Sequence, residues 1–406
     1  MSILSKKAVI FIFIIFAGVF GSWLGGKYFD LGVFIRRDSG KSFGDYAQEI
    51  VEKCSTASYK QTCYEEEIPK LMDFISMEDA FQVTRLVQDK DTSYQYCHVL
   101  GHELSAKETA KDPSKWKEVI PRCPSGLCSN GCIHGAFQER FRSETLSNGE
   151  IDALKPDLAE ICEPKKNWRP TSLEQATCYH ALGHLLMYIS GANLDKSTQI
   201  CGGVSKKSDG HDWSKLCYDG AFMQIFQPLE DEDFVLVAGK QPKKEELASF
   251  CRRFDGQKKV ACWGEGWPLY FEDLLKPSGL VNFCSKSLLT DPGDQDQCFM
   301  GLFYVMTAQF QFDLEKMTVY CNSLPAQWMN MCFANAASRL IETDYRNIPK
   351  VISFCGSIGS AEAENACYWE LIKYSTYNFH PNSHEFFQLC NGMPEPWKSQ
   401  CLKGNN

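Results

Sequence analysis

Leu280-Val281-Asn282-Phe283-Cys284-Ser285-Lys286-Ser287-Leu288-Leu289-Thr290-Asp291-Pro292-Gly293-Asp294-Gln295-Asp296-Gln297-Cys298-Phe299 contains the unit from which the fold is read. Leu280 and Phe283 stand three apart, the step of one helix face, and Cys284 follows. Leu289 to Asp294 carries the Asp, Pro and Gly of a turn, and Cys298 opens a new apolar run from Phe299 to Phe312. The unit reads helix, cysteine, loop, cysteine, helix.

The same grammar recurs through the carboxyl half in Cys251/Cys262, Cys321/Cys332, Cys355/Cys367 and Cys390/Cys401. Leading cysteines lie 33, 37, 34 and 35 residues apart, the period of a two-helix repeat. An apolar residue precedes each (Phe250, Phe283, Tyr320, Phe354, Leu389), and another lies three positions earlier (Leu247, Leu280, Met317, Val351, Phe386). A helical pair cannot bury its apolar face alone, so neighbours must stack to make a core. Closing a loop of about ten residues contributes roughly 2.5–3 kcal/mol per disulfide on the chain-entropy estimate. Cys54/Cys63, Cys162/Cys178 and Cys201/Cys217 extend the pattern toward the amino end. Cys97, Cys123, Cys128 and Cys132 depart from it. They form either two disulfides, with Cys97–Cys128 and Cys123–Cys132 preferred, or a zinc site of Cys123, Cys128, Cys132 and His134.

The chain has 406 residues, 44% of them apolar, and 20 cysteines. That composition excludes disorder and is enough for several domains or one array. A net charge of −9 excludes a generic nucleic-acid binder. Lys6 and Lys7 precede an uncharged stretch over 8–26, long enough to span a bilayer as a helix. Its alternative is a cleaved signal peptide; either exports the remainder and favours disulfides. The absence of any Asn-x-Ser/Thr acceptor leans toward a bacterial envelope. The expected organisation is a cytoplasmic tail over 1–7, the anchor or signal segment over 8–26 and a linker over 27–50. A duplicated histidine-containing helical region over 51–230 and clipped repeats over 240–401 follow.

The mid-thirties period with paired cysteines resembles the secreted cysteine-rich Sel1-like α/α repeat proteins over most of residues 50–401. The cysteines here are spaced more widely and the recurring glycine-rich turns are missing. The resemblance implies an interaction scaffold that binds an envelope protein or peptide, and it carries over no functional residue. The expected fold is all-α, a disulfide-stapled solenoid-like α/α array behind an N-terminal transmembrane helix.

A second duplication bears on chemistry. His98-Val99-Leu100-Gly101-His102 recurs as His180-Ala181-Leu182-Gly183-His184, and Cys132-Ile133-His134-Gly135-Ala136-Phe137 as Cys217-Tyr218-Asp219-Gly220-Ala221-Phe222. Histidines four apart share one helix face and can ligate one metal. The expected ligand sets are His98, His102 and His134, and His180, His184 and Asp219. They would face one pocket and hold one shared divalent metal or two, zinc first, with iron or copper as alternatives. The positions matching His134 and Asp219 in later repeats are Gly264, Met300, Ala334 and Trp369, so the repeat itself does not demand a polar group there. Paired histidines also serve as caps or join buried polar networks, which leaves a metal-free scaffold as the rival reading. The zincin glutamate is absent, since Val99 and Ala181 follow the first histidines. Glu103 and Glu139 are candidate bases. His380 and His384 repeat the spacing, but Pro381 is expected to start a helix between them, and His211 lies in a polar loop. An enzyme built on this pattern would be metal-dependent, hydrolase and oxidoreductase being indistinguishable.

Overall fold

The computed structural model describes residues 40–404, apart from 143, 230 and 286–288. The anchor or signal segment therefore lies outside the described residues, as does most of the linker. Among the described residues the elements are α-helices and short 3-10 turns, and none is long and apolar enough to cross a membrane. The helical array starts at Phe43, ahead of residue 51, because Ser42 and Asp45 form a reciprocal capping box.

Eight helices line the interior: α1 (His98–Ala110), α2 (Gly131–Phe141), α3 (Ser172–Ile189), α4 (Ser214–Phe226), α5 (Gly256–Glu265), α6 (Pro292–Gln309), α7 (Ala326–Thr343) and α8 (Ala361–Asn378). Their starts are locally encoded. Thr171 and Glu174 form a capping box at α3, Asp291 caps α6 ahead of Pro292, and Ser360 caps α8. Shorter outer helices precede them, as Leu247–Arg252 precedes α5, Pro277–Ser285 precedes α6 and Leu314–Asn322 precedes α7.

All twenty cysteines are bridged. Each carboxyl-half cysteine pairs with its neighbour as the repeat requires. The irregular four form Cys97–Cys128 and Cys123–Cys132, which removes the thiolates a Cys₃His zinc site would need. The second cysteine does not open its helix as the sequence suggests. Cys262, Cys298, Cys332 and Cys367 sit well inside helices that begin at Gly256, Pro292, Ala326 and Ala361. Each bridge thus clips the end of an outer helix to a point between one and two turns along an inner one. Its half-cystines are buried with the aromatic core, where Phe299, Phe303, Phe333 and Tyr368 are almost fully enclosed.

Successive inner helices pack side by side from α1 to α8, and α8 then returns to pack on α3. A one-dimensional solenoid contacts only its neighbours; this array curves until its end meets its beginning. Polar contacts close the seam. Arg346 reaches Asp89 at 2.6 Å and Gln88 at 2.8 Å while pairing with Asp344, and Leu127 bridges Asp344 through the backbone. Tyr96 packs at a tilt against Phe312, ring centroids 5.9 Å apart, and Arg339 of α7 lies 5.9 Å over the Tyr96 ring. The closed ring surrounds a cavity of about 410 Å³ to which every inner helix contributes a side chain.

Mapping of unreduced peptides should therefore return nine bridges spanning 9 to 16 residues, Cys123–Cys132 among them, and the longer Cys97–Cys128. A Cys123–Cys128 or Cys97–Cys132 link would contradict the geometry of this turn.

Candidate metal centre

The duplicated motifs meet through their glycines. A Cβ on Gly220 would collide with the His180 carbonyl, and one on Gly183 with the Cys217 carbonyl. In the first block Gly135 faces the His102 carbonyl and Gly131 the His98 carbonyl just as closely. Those atoms are backbone, so no side-chain rotation relieves the clash. The α1/α2 and α3/α4 pairs thus approach backbone to backbone beside the histidines, and the motif glycines are what permit it.

Chain geometry at the start of α2 is equally specific. Cys128, Ser129 and Asn130 have φ of 52°, 47° and 55°, three consecutive left-handed residues without a glycine. Such a run is strained and persists only where the surroundings hold it. The Cys97–Cys128 bridge, with Cα atoms 4.7 Å apart, ties it to the first residue before α1. The held turn brings the Cys128 carbonyl 3.3 Å from His98 Nδ1.

That contact sets a tautomer. A carbonyl only accepts, so His98 Nδ1 carries the proton and Nε2 presents a lone pair. Gln138 Oε1 lies 3.2 Å from His102 Nδ1 and sets that ring the same way. The two bare Nε2 atoms face each other at 3.1 Å. They repel unless a cation lies against both, and a proton is a poor candidate. Burial holds His98 down to about 4 and pushes His102 well below the usual histidine value. His134 completes the group from α2, its ring 5.1 Å and 5.0 Å from those of His98 and His102. Its buried Nε2 has no hydrogen-bond partner among the described residues. One ligand nitrogen from each of the three lies within 4.8 Å of the others. Neutral imidazoles with the proton fixed on the far nitrogen, backed by a carbonyl or amide oxygen, are what a metal requires of its histidines. These three residues can hold a metal ion.

His180 and His184 of α3 repeat the arrangement, Nε2 to Nε2 at 3.2 Å, with His184 Nδ1 2.6 Å from Gln224 Oε1. His134 stands between the two pairs, 5.4 Å and 5.6 Å from their rings. The structure therefore brings all five motif histidines into one cluster. Asp219 lines the same cavity as His180, but Lys215 one turn earlier on α4 holds its carboxylate at 2.8 and 3.0 Å. Glu103 and Glu139 are not among the residues lining the cavity. One follows His102 by a single position and so points about 100° away around the helix; the other lies five positions beyond His134. Burial raises the Glu103 carboxyl. His211 is exposed and pairs with Asp209. Pro381 opens no helix: it lies in a turn with Asn382 at φ 68°, and the helix His384–Gly392 starts after Ser383, leaving His380 and His384 exposed and outside the centre.

The repeat register holds in three dimensions. His134, His180 and Asp219 each stand two residues after the second cysteine of their bridge, so they occupy the same place on adjoining helices. The opposite wall, which carries no motif, escaped the sequence reading. There Arg339 lies 3.5 Å over the Tyr304 ring and 3.3 Å from Glu342, which also accepts from the Tyr304 hydroxyl. Burial pushes Glu342 up to about 7 against the pull of Arg339. Glu265, bonded by Gln227 at 2.7 Å, is raised to about 8 by burial and by the nearby Asp219. Trp267, Tyr374 and Tyr377 add aromatic surface.

Compared with family models, with curated proteins and with solved structures, the chain matches none.

Two outcomes test this geometry. Gly220→Ala should cost about 3 kcal/mol in denaturant unfolding, whereas Gly264→Ala, with open space around it, should be neutral or slightly stabilising. In metal-free protein the five clustered imidazoles, all lowered by burial, take up protons on unfolding, His98 between about pH 4 and pH 6.5, and they outnumber the raised carboxyls of Glu265 and Glu342, which act with the opposite sign. Stability should accordingly fall as pH drops through that window, read as a lower thermal midpoint at pH 5 than at pH 7.5.

Proposed function

We propose that this chain is an exported metalloprotein that holds a divalent metal ion on His98, His102 and His134 and presents it to a small molecule in the central cavity. The observation that carries this reading is the convergence of three imidazoles within 4.8 Å, two with the proton fixed on the nitrogen away from the meeting point. Zinc suits three neutral imidazoles and needs no redox partner, with iron or copper accepted by the same donors. Three protein ligands leave a coordination position for solvent or ligand, the arrangement of a reactive rather than a purely structural site.

Export follows from the cysteines. Ten bridges and no free thiol fit an oxidising, extracytoplasmic environment, and residues 8–26 would tether the protein to the membrane that it crosses. His98 and His134 line the cavity while His102 lies behind them, so an ion held by all three sits in the cavity wall. A volume of about 410 Å³ fits a small organic ligand. The metal would polarise a bound oxygen or lower the pKa of its water, and the half-buried Glu265 and Glu342 offer protonatable groups on the wall opposite the histidines.

Untagged protein should retain stoichiometric metal by plasma mass spectrometry, and chelation should lower its thermal midpoint until Zn²⁺ is restored. His102→Ala should lose that binding with the disulfide map unchanged. Gln138→Ala, which frees the His102 ring, should weaken Zn²⁺ binding roughly 10- to 100-fold. Wild-type protein with no bound metal and no measurable Zn²⁺ affinity would overturn this function.

A further inference from the structure

The proposed function uses three of the five clustered histidines. Of the remaining two, His184 is oriented by an amide oxygen as His102 is. His184 Nδ1 is turned to Gln224 Oε1 at 2.6 Å, so its proton lies away from His180 and its Nε2 lone pair meets His180 Nε2 at 3.2 Å. Gly183 and Gly220 clear the backbone contact that fixes this geometry, as Gly131 and Gly135 do in the first block. The Nε2 atoms of both rings thus lie at one meeting point, and His180 carries that point to the edge of the main cavity.

Position separates this pair from the first. His134 lies between the two, with ring centroids at 5.0 and 5.1 Å from His102 and His98 and at 5.4 and 5.6 Å from His180 and His184. A void of about 20 Å³, room for one water-sized ligand, touches His102, His134 and His184 and so adjoins both sets. On the other side His98, His134 and His180 all face the main cavity. Asp219 does not complete the second set, because Lys215 holds both its oxygens.

We propose that His180 and His184 hold a second metal ion beside the first, making a binuclear centre with His134 between the two ions and with the second ion completed by an oxygen donor from the cavity. This rests on the reading that His98, His102 and His134 bind metal. The first ion has three protein ligands and the second fewer, so the second is the weaker site and the one that an incoming ligand engages most directly. Two ions sharing one cavity can hold an attacking and a leaving oxygen together, which one ion cannot.

Cobalt(II) is the probe, since its visible bands report each occupied site. Metal-free, untagged wild-type protein should bind two equivalents in successive phases. His180→Ala/His184→Ala should bind one with the tighter phase retained, and His98→Ala/His102→Ala should lose that phase. Saturation at one equivalent, abolished by either double variant, means a single shared ion; it overturns the binuclear centre and leaves the proposed function standing. No binding at all removes both. A readout independent of any variant is copper(II) electron paramagnetic resonance of the wild type. Two equivalents should give the dipolar coupling of ions a few ångströms apart, and an isolated-ion spectrum at full loading overturns the proposal.

Discussion

Side chains on two helices can converge on one point only if the backbones come closer than ordinary side chains permit, and the centre depends on that approach. Gly131, Gly135, Gly183 and Gly220 each stand where a Cβ would strike a carbonyl of the facing helix. With the contact made, α1 faces α2 and α3 faces α4 at a separation that gathers five imidazoles. The glycines and histidines of each motif are therefore one device. The glycines supply proximity and the histidines exploit it.

Proximity alone would leave the helices free to slide. The bridges remove that freedom by fixing where along each inner helix its outer partner ends. Cys123–Cys132 and Cys201–Cys217 anchor α2 and α4 close to the glycine contacts, while Cys97–Cys128 holds a strained turn that carries a carbonyl to His98. Ring closure supplies the rest. α8 packs on α3 and Arg346 joins the far end of the array to Asp89 and Gln88. The carboxyl repeats, which hold no histidine of the centre, thereby become the opposite wall of its cavity. Arg339, Tyr304 and Glu342 reach the site through that closure alone.

Electrostatics then separates groups that the duplication made equivalent. His134 and Asp219 occupy matching positions, yet Lys215 stands one turn before Asp219 where the first block has Asn130. The lysine draws the carboxylate into an ion pair, while His134 keeps a buried nitrogen without a partner among the described residues. Burial keeps the imidazoles neutral, the form that binds metal, and the same burial raises the carboxyls of Glu265 and Glu342. One cause thus prepares ligands on one wall and protonatable groups on the other.

Periodicity made much of this legible in the sequence. A cysteine period in the thirties with an i, i+3 apolar face specifies paired helices and local bridges, because both depend on residues near in the chain. The spacing of His98 and His102, and of His180 and His184, places each pair on one face for the same reason. Long-range matters were not legible. The packing of α8 onto α3 joins helices far apart in the chain, and in a repeat array such curvature builds up over many units, so no single residue encodes it. Lys215 capturing Asp219, the glutamines that orient His102 and His184, and the aromatic and charged wall around Arg339 depend on where helices cross. The sequence determined the helices, their bridges and which histidines share a face; tertiary packing decided which of those faces meet, since only the closed ring sets distances between residues far apart in the chain.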